Sequence, residues 1–165
     1  MSKRSIAILT LGLTLHGSAA LAQSEGWGTG YQMGTSYAGV NGADGTRLTF
    51  YCGAAAAARA NPAIAGGPYL IAVLPKTQLK DALPSAIEIV ADGKATRVPV
   101  KAQAGMEEVE LTWTPSRDFG LSEMQLVVAA LREAKRIELR AAEAAVLLPS
   151  DGVAKALAGD PLRCP

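Results

Sequence analysis

The chain has 165 residues, 16 basic against 15 acidic side chains, two cysteines and one histidine. A near-neutral balance with no basic run excludes a nucleic acid or an anionic membrane surface held by charge. Two cysteines with no close Cys-x-x-Cys spacing do not make the pattern of an ordinary structural zinc site.

Lys3 and Arg4 precede the apolar run Ile6 to Leu15, and Ala20-Leu21-Ala22 offers a small-x-small cleavage motif. This is the pattern of a secretory signal peptide over residues 1–22, cut before Gln23. The run is shorter than the roughly 20 apolar residues of a spanning anchor. Loss of Lys3 and Arg4 takes the net charge from +1 to −1, and His16 departs with the leader. The expected product is periplasmic or secreted, without a membrane span after cleavage, and of a length suited to one domain.

Residues 23–45 are rich in glycine, with Trp27, Tyr31 and Tyr37 between. Glycine at this density weakens strands, so an irregular segment is predicted, leading into a strand near Ser36 to Val40. Asp44-Gly45 marks a tight turn, and Arg47 to Cys52 forms the next strand. From here residues 46–165 read as a single β-rich domain. The alanine-rich stretch 54–67 is a marginal helix or a surface loop. Tyr69 to Leu74, bounded by Pro68 and Pro75, has the apolar run of a buried strand.

"AIEIVADGKATRVPV" alternates on both sides of Asp92-Gly93 and predicts a β-hairpin. Glu108 to Trp113 alternates again. The period then changes: Met124, Val127, Val128 and Leu131 fall at i, i+3, i+4 and i+7, one buried helical face. Ser122 and Gln125 have capping-box spacing, with Leu121 and Leu126 as a staple. Arg132, Lys135 and Arg136 suit the negative end of the helix dipole. "RIELRA" and "AAVLLP" predict a strand kinked or bulged around Ala142 to Ala144. Ser150 or Asp151 is placed to cap a short last helix through Leu157, ended by Gly159 and Pro161. Strands without regular helix alternation favour a mainly β fold, an antiparallel β-sandwich or open barrel with one amphipathic helix and a short C-terminal helix.

Cys52 and Cys164 pose a choice between ligand, nucleophile and staple. Metal ligation lacks partners, and a nucleophile lacks a histidine base once the leader is gone. A Cys52–Cys164 disulfide suits an oxidising compartment and would contribute roughly 4–5 kcal/mol in the chain-entropy account.

The same inventory removes most catalysis. A Ser-His-Asp triad and a Cys-His pair are excluded in the mature chain. Glu107, Glu108 and Glu110 crowd one strand, where a solvated face explains them. Asp118, in the loop "TPSRDFG", is a loop or capping carboxylate before it is an acid catalyst. No catalytic residue, metal ligand or cofactor is assigned. Trp27, Tyr31 and Tyr37 are the possible partner-binding residues, against the alternative of core or edge packing. Alanine at Trp27 and Tyr31 is expected to weaken partner capture and leave the melting temperature unchanged.

An early Trp27, the cysteine strand "LTFYC", the unit "IEIVADGKATRVPV", the helix "LVVAALREAKRIELR" and the close "VLLPSDGVAKAL" before a last cysteine follow in order. This order resembles the small exported proteins of the invasion-associated locus B type, and similarly the periplasmic proteins associated with type VI secretion. The locus B type commonly carries a further cysteine pair near the segment equivalent to "GMEEVELTW", absent here. The resemblance implies a sandwich-like periplasmic module with no known catalytic residues. The functional expectation is a non-enzymatic binding or envelope-associated accessory module whose partner is a protein or cell-envelope component. The alternatives are an inhibitor of a cell-wall-degrading enzyme or, lower in rank, a carboxylate-based glycan hydrolase using Asp118 or Glu108.

Overall fold

A computed structural model describes residues 26–42, 44–54, 66–80 and 83–164. Residues 1–22, expected from the sequence to be a signal peptide, and most of the 54–67 stretch lie outside the described residues. In chain order the strands are β1 (Gly26–Gln32), β2 (Thr35–Asn41), β3 (Arg47–Gly53), β4 (Gly67–Pro75), β5 (Ala86–Ala91), β6 (Lys94–Pro99), β7 (Lys101–Ala104), β8 (Glu108–Trp113), β9 (Ile137–Ala141) and β10 (Ala144–Leu148). The helices are α1 (Lys76–Leu79), α2 (Leu121–Glu133) and α3 (Val153–Ala156). Two antiparallel sheets result, ordered β1-β2-β3-β4-β8-β7 and β10-β9-β5-β6. The architecture is a β-sandwich; neither sheet closes into a barrel.

Alternation decides which side chains meet between the sheets. Leu48 and Phe50 of β3, Leu70, Ala72 and Leu74 of β4, and Leu111 and Trp113 of β8 point inward and are buried. Ile87 and Ile89 of β5, Val98 of β6, and Ile137 and Leu139 of β9 do the same from the smaller sheet. Burial of each such leucine or isoleucine contributes about 1.5–3 kcal/mol before entropy is counted. Met124, Val127, Val128 and Leu131 of α2 join this core, as their period predicts.

Asp92 and Gly93 both have positive φ, 48° and 84°, the requirement of a two-residue hairpin turn matched to strand twist. The Asp92 carboxylate also accepts the backbone N–H groups of Lys135 and Arg136 at 3.0 and 2.9 Å. Those two basic residues therefore lie past α2 in a tether between hairpin and helix. Between β6 and β7, Val100 is where the chain leaves one sheet for the other. β7 escapes the sequence reading because "KAQA" has almost no apolar contrast between its two faces.

Several local expectations are corrected. The segment predicted to be irregular contains β1, paired with β2 along its whole length. The cap of α2 is Gly120, whose N–H donates to the Glu123 carboxylate at 3.0 Å, so Ser122 lies inside the helix. The staple does not form, since Leu126 is 72% exposed. The predicted kink is a hairpin turn at Ala142-Glu143 joining β9 to β10, with Ala142 at φ 50°. α3 starts after Gly152 rather than from a Ser150 or Asp151 side chain. Gly152 has φ 78°, and a Cβ there would lie 3.0 Å from the Trp27 carbonyl oxygen, so conformation and contact both demand glycine.

That contact explains why β1 is ordered despite its glycines. Trp27 N–H donates to the Asp151 carbonyl at 2.9 Å, and the Trp27 indole N–H donates to the Pro149 carbonyl at 2.9 Å. The same C-terminal segment ends in the Cys52–Cys164 disulfide, whose Cα atoms are 5.2 Å apart. One end of the segment clamps the edge strand and the other is bonded to β3. Among the described residues no helix is long and apolar enough to cross a membrane.

Candidate functional site

The outer face of the six-stranded sheet carries the least ordinary surface of the molecule. On β2, Ala38 and Val40 point inward, so Tyr37 and Gly39 point out. On β3, Leu48, Phe50 and Cys52 point inward, so Thr49 and Tyr51 point out. Tyr69 and Ile71 face outward from β4 by the same parity. Strand register then aligns four residues across the sheet: Gly30 with Tyr37, Tyr37 with Tyr51, and Tyr51 with Tyr69.

The rings touch in sequence. Tyr51 and Tyr69 stack at 4.9 Å with 9° between planes, and Tyr37 and Tyr51 lie 6.2 Å apart at 47°. Tyr37 folds over Gly30: a Cβ at that glycine would fall 2.2 Å from the phenol oxygen. Tyr51 and Tyr69 are half-buried, and Tyr37 is 37% exposed. Burial pushes the Tyr69 phenol above its ordinary pKa, helped by the charges on Tyr51 and Glu110 and opposed by a hydrogen bond with Thr35. The Tyr69 phenol is thus a neutral donor and acceptor near neutral pH.

Beside the row, Gly28 and Gly39 are register partners. They leave a shallow trough bordered by Tyr37, Asn41 and Thr49. A Cβ at Gly28 would meet nothing within 4 Å, so bare backbone is open there. Rigid rings, hydroxyl tips and exposed peptide make a contact surface with little side-chain entropy left to lose.

The sequence-predicted residues separate. Tyr37 belongs to the row. Tyr31 is 74% exposed but sits on the opposite face of β1 from Gly30, outside it. Trp27 is corrected: only 8% exposed, it stacks on Phe50 at 6.4 Å and holds its indole on Pro149. It is a core residue, because β1 turns that face toward the sandwich interior. Tyr51 and Tyr69 were missed; face parity around Phe50 and Leu70 was the signal that could have found them.

The carboxylates are dispersed. Glu108 forms an ion pair with Arg47 at 2.8 Å, Glu110 accepts the Thr112 hydroxyl at 3.1 Å, and Glu107 and Asp118 are exposed. Near Asp118 the ordered element is Phe119, which packs edge-on against Trp113 and whose carbonyl accepts the Trp113 indole N–H at 3.2 Å. Among the described residues, three or more His, Cys, Asp or Glu side chains nowhere gather as a metal-holding group.

No curated protein and no solved structure matches the chain. The finer assignment to the invasion-associated locus B type finds no support in the family comparison. The YfjT family model matches residues 25–157, from just before β1 to just past α3, and the chain therefore belongs to the YfjT family.

Proposed function

We propose that this protein is a non-enzymatic binding module working outside the cytoplasm, and that the tyrosine row recognises a protein or cell-envelope component. The observation that carries this reading is the alignment of Tyr37, Tyr51 and Tyr69 on a solvent-facing sheet. Tyrosines placed where polar residues normally stand keep a polar tip in water and an apolar body available for burial. The Cys52–Cys164 bond supports the compartment, since structural disulfides persist where the surroundings are oxidising.

The test compares the purified protein with a Tyr37→Ser/Tyr51→Ser double variant. Each is immobilised, exposed to solubilised envelope and to isolated cell-wall sacculi, and washed at rising salt. Retention of a reproducible component by the parent, lost about tenfold or more in a variant of unchanged circular dichroism, is the expected result. Equal retention by both proteins sinks the assignment to this face. Turnover of sacculi by either would replace a binding module with an enzyme.

A further inference from the structure

A different surface, at the free edge of the smaller sheet, carries its own reading. β6 is the outermost strand there. Its ladder with β5 starts at Ala91 and Lys94 beside the two-residue turn, and Val100 N–H closes it on the Ser85 carbonyl at 2.9 Å. Hydrogen-bonded pairs alternate with non-bonded ones in such a ladder. Lys94, Thr96 and Val98 therefore direct their backbone groups to β5. Ala95 and Arg97 direct theirs to the open edge, a template for one more strand.

Beside this edge, on the inner side of the sheet, α2 leaves an apolar cleft of about 250 Å³. Ile89, Thr96, Val127 and Ala130 line it, Leu126 stands at it largely exposed, and Lys94 lies at its rim. The volume is below the roughly 300–1,000 Å³ that enclose a drug-sized ligand; it suits a single apolar side chain. Glu123, also on the cleft, already accepts the Gly120 N–H. Lys94 and Arg97 form no ion pair among the described residues.

We infer that β6 and α2 form a peptide-binding groove, in which an extended acidic segment of a partner protein adds as a fifth strand. Strand addition supplies affinity through main-chain bonds, and pockets for alternate side chains supply selectivity. Antiparallel pairing fixes the order of the recognised side chains. An acidic residue stands opposite Arg97 on the outer face, an apolar one opposite Thr96 enters the cleft, the residue opposite Ala95 is unrestricted, and an acidic one stands opposite Lys94. The recognised pattern is acidic, apolar, any, acidic, from N- to C-terminus. This groove lies on the other sheet from the tyrosine row and does not depend on it.

The test titrates the ¹⁵N-labelled protein with the end-capped octapeptide STELSETS, with STKLSKTS as control. Saturable shifts and new exchange protection at Ala95 and Arg97, with shifts at Leu126, are expected for the acidic peptide alone. Ala95→Pro removes an N–H that the fold does not use, as edge strands tolerate, and Ala130→Trp fills the cleft from an exposed position. Each should weaken binding about tenfold or more, while Tyr51→Ser leaves it unchanged. Shifts absent at millimolar peptide, or equal for the two peptides, or unaffected by both groove variants, overturn the inference. Protection at Ala95 and Arg97 that rises with protein concentration alone would assign the edge to a second copy and overturn it too.

Discussion

Strands β1 to β4 carry aromatic residues on both faces, and the two sets behave differently. On the inner face Trp27 and Phe50 stack within a closed core, with Trp113 and Phe119 edge-on nearby. On the outer face Tyr51 and Tyr69 stack, Tyr37 leans on Tyr51 at a tilt, and all three remain half in water. Residue type is similar, and position in the pleat separates packing from availability. An aromatic residue therefore says little about recognition until its face is known. The outer face of the other sheet sharpens the point: there a half-exposed Arg140 pairs with Glu88 and with a largely covered Glu138, charges where the first sheet has rings.

The comparison can be broken most forcefully at Trp27. Trp27→Ala should cost about 3–5 kcal/mol, as large-to-small core changes do, read from the denaturant midpoint. A loss under about 1 kcal/mol would return Trp27 to the surface set. Next in size, Cys52→Ser/Cys164→Ser should cost about 2–4 kcal/mol and loosen the clamp on β1, seen as faster amide exchange at Trp27. Unchanged exchange would show that the backbone bonds to Asp151 hold the strand unaided. Tyr51→Ala removes the middle of the outer row and should cost only about 1–2 kcal/mol. A larger loss would make the row a second core.

A smaller effect concerns pH. The Tyr69 pKa is raised in the folded state, first by burial, so the folded protein holds this proton more tightly than the unfolded chain. Its stabilisation is complete below the unfolded value of about 10 and is lost as pH rises through the folded value. Thermal melts should therefore fall more steeply above about pH 10 for the parent than for Tyr69→Phe; parallel curves would contradict the shift. Smallest of all, Arg140→Gln on the charged sheet should lower the melting temperature only slightly, because ion pairs at a surface contribute about 0–1 kcal/mol.

Much of the fold was legible because its signals are local. Alternation about Asp92-Gly93 named the β5–β6 hairpin, and the i, i+3, i+4, i+7 spacing named the buried face of α2 residue by residue. The disulfide followed from the chemistry left to two cysteines. Failures occurred where a distant contact outweighs local preference. β1 is poor in strand-forming residues and is held by Pro149 and Asp151, more than a hundred positions away. β7 is a strand only because β8 offers an edge to pair with. The α2 cap moved to Gly120 because Glu123, not Gln125, reaches a free N–H. The site was legible at Tyr37 alone.

By itself the sequence determined the period of β5, β6, β8 and α2, the Asp92-Gly93 turn whose two residues have positive φ, and a pair of cysteines suited to a disulfide. These depend on sterics and chemistry within a few residues. Only the tertiary structure decided which face of β1 is interior and which tyrosines share a row. It also decided that the open edge of β6 lies beside a cleft under α2. Those depend on strand register and on which elements pack together, and a period-2 pattern is the same whichever neighbour it meets.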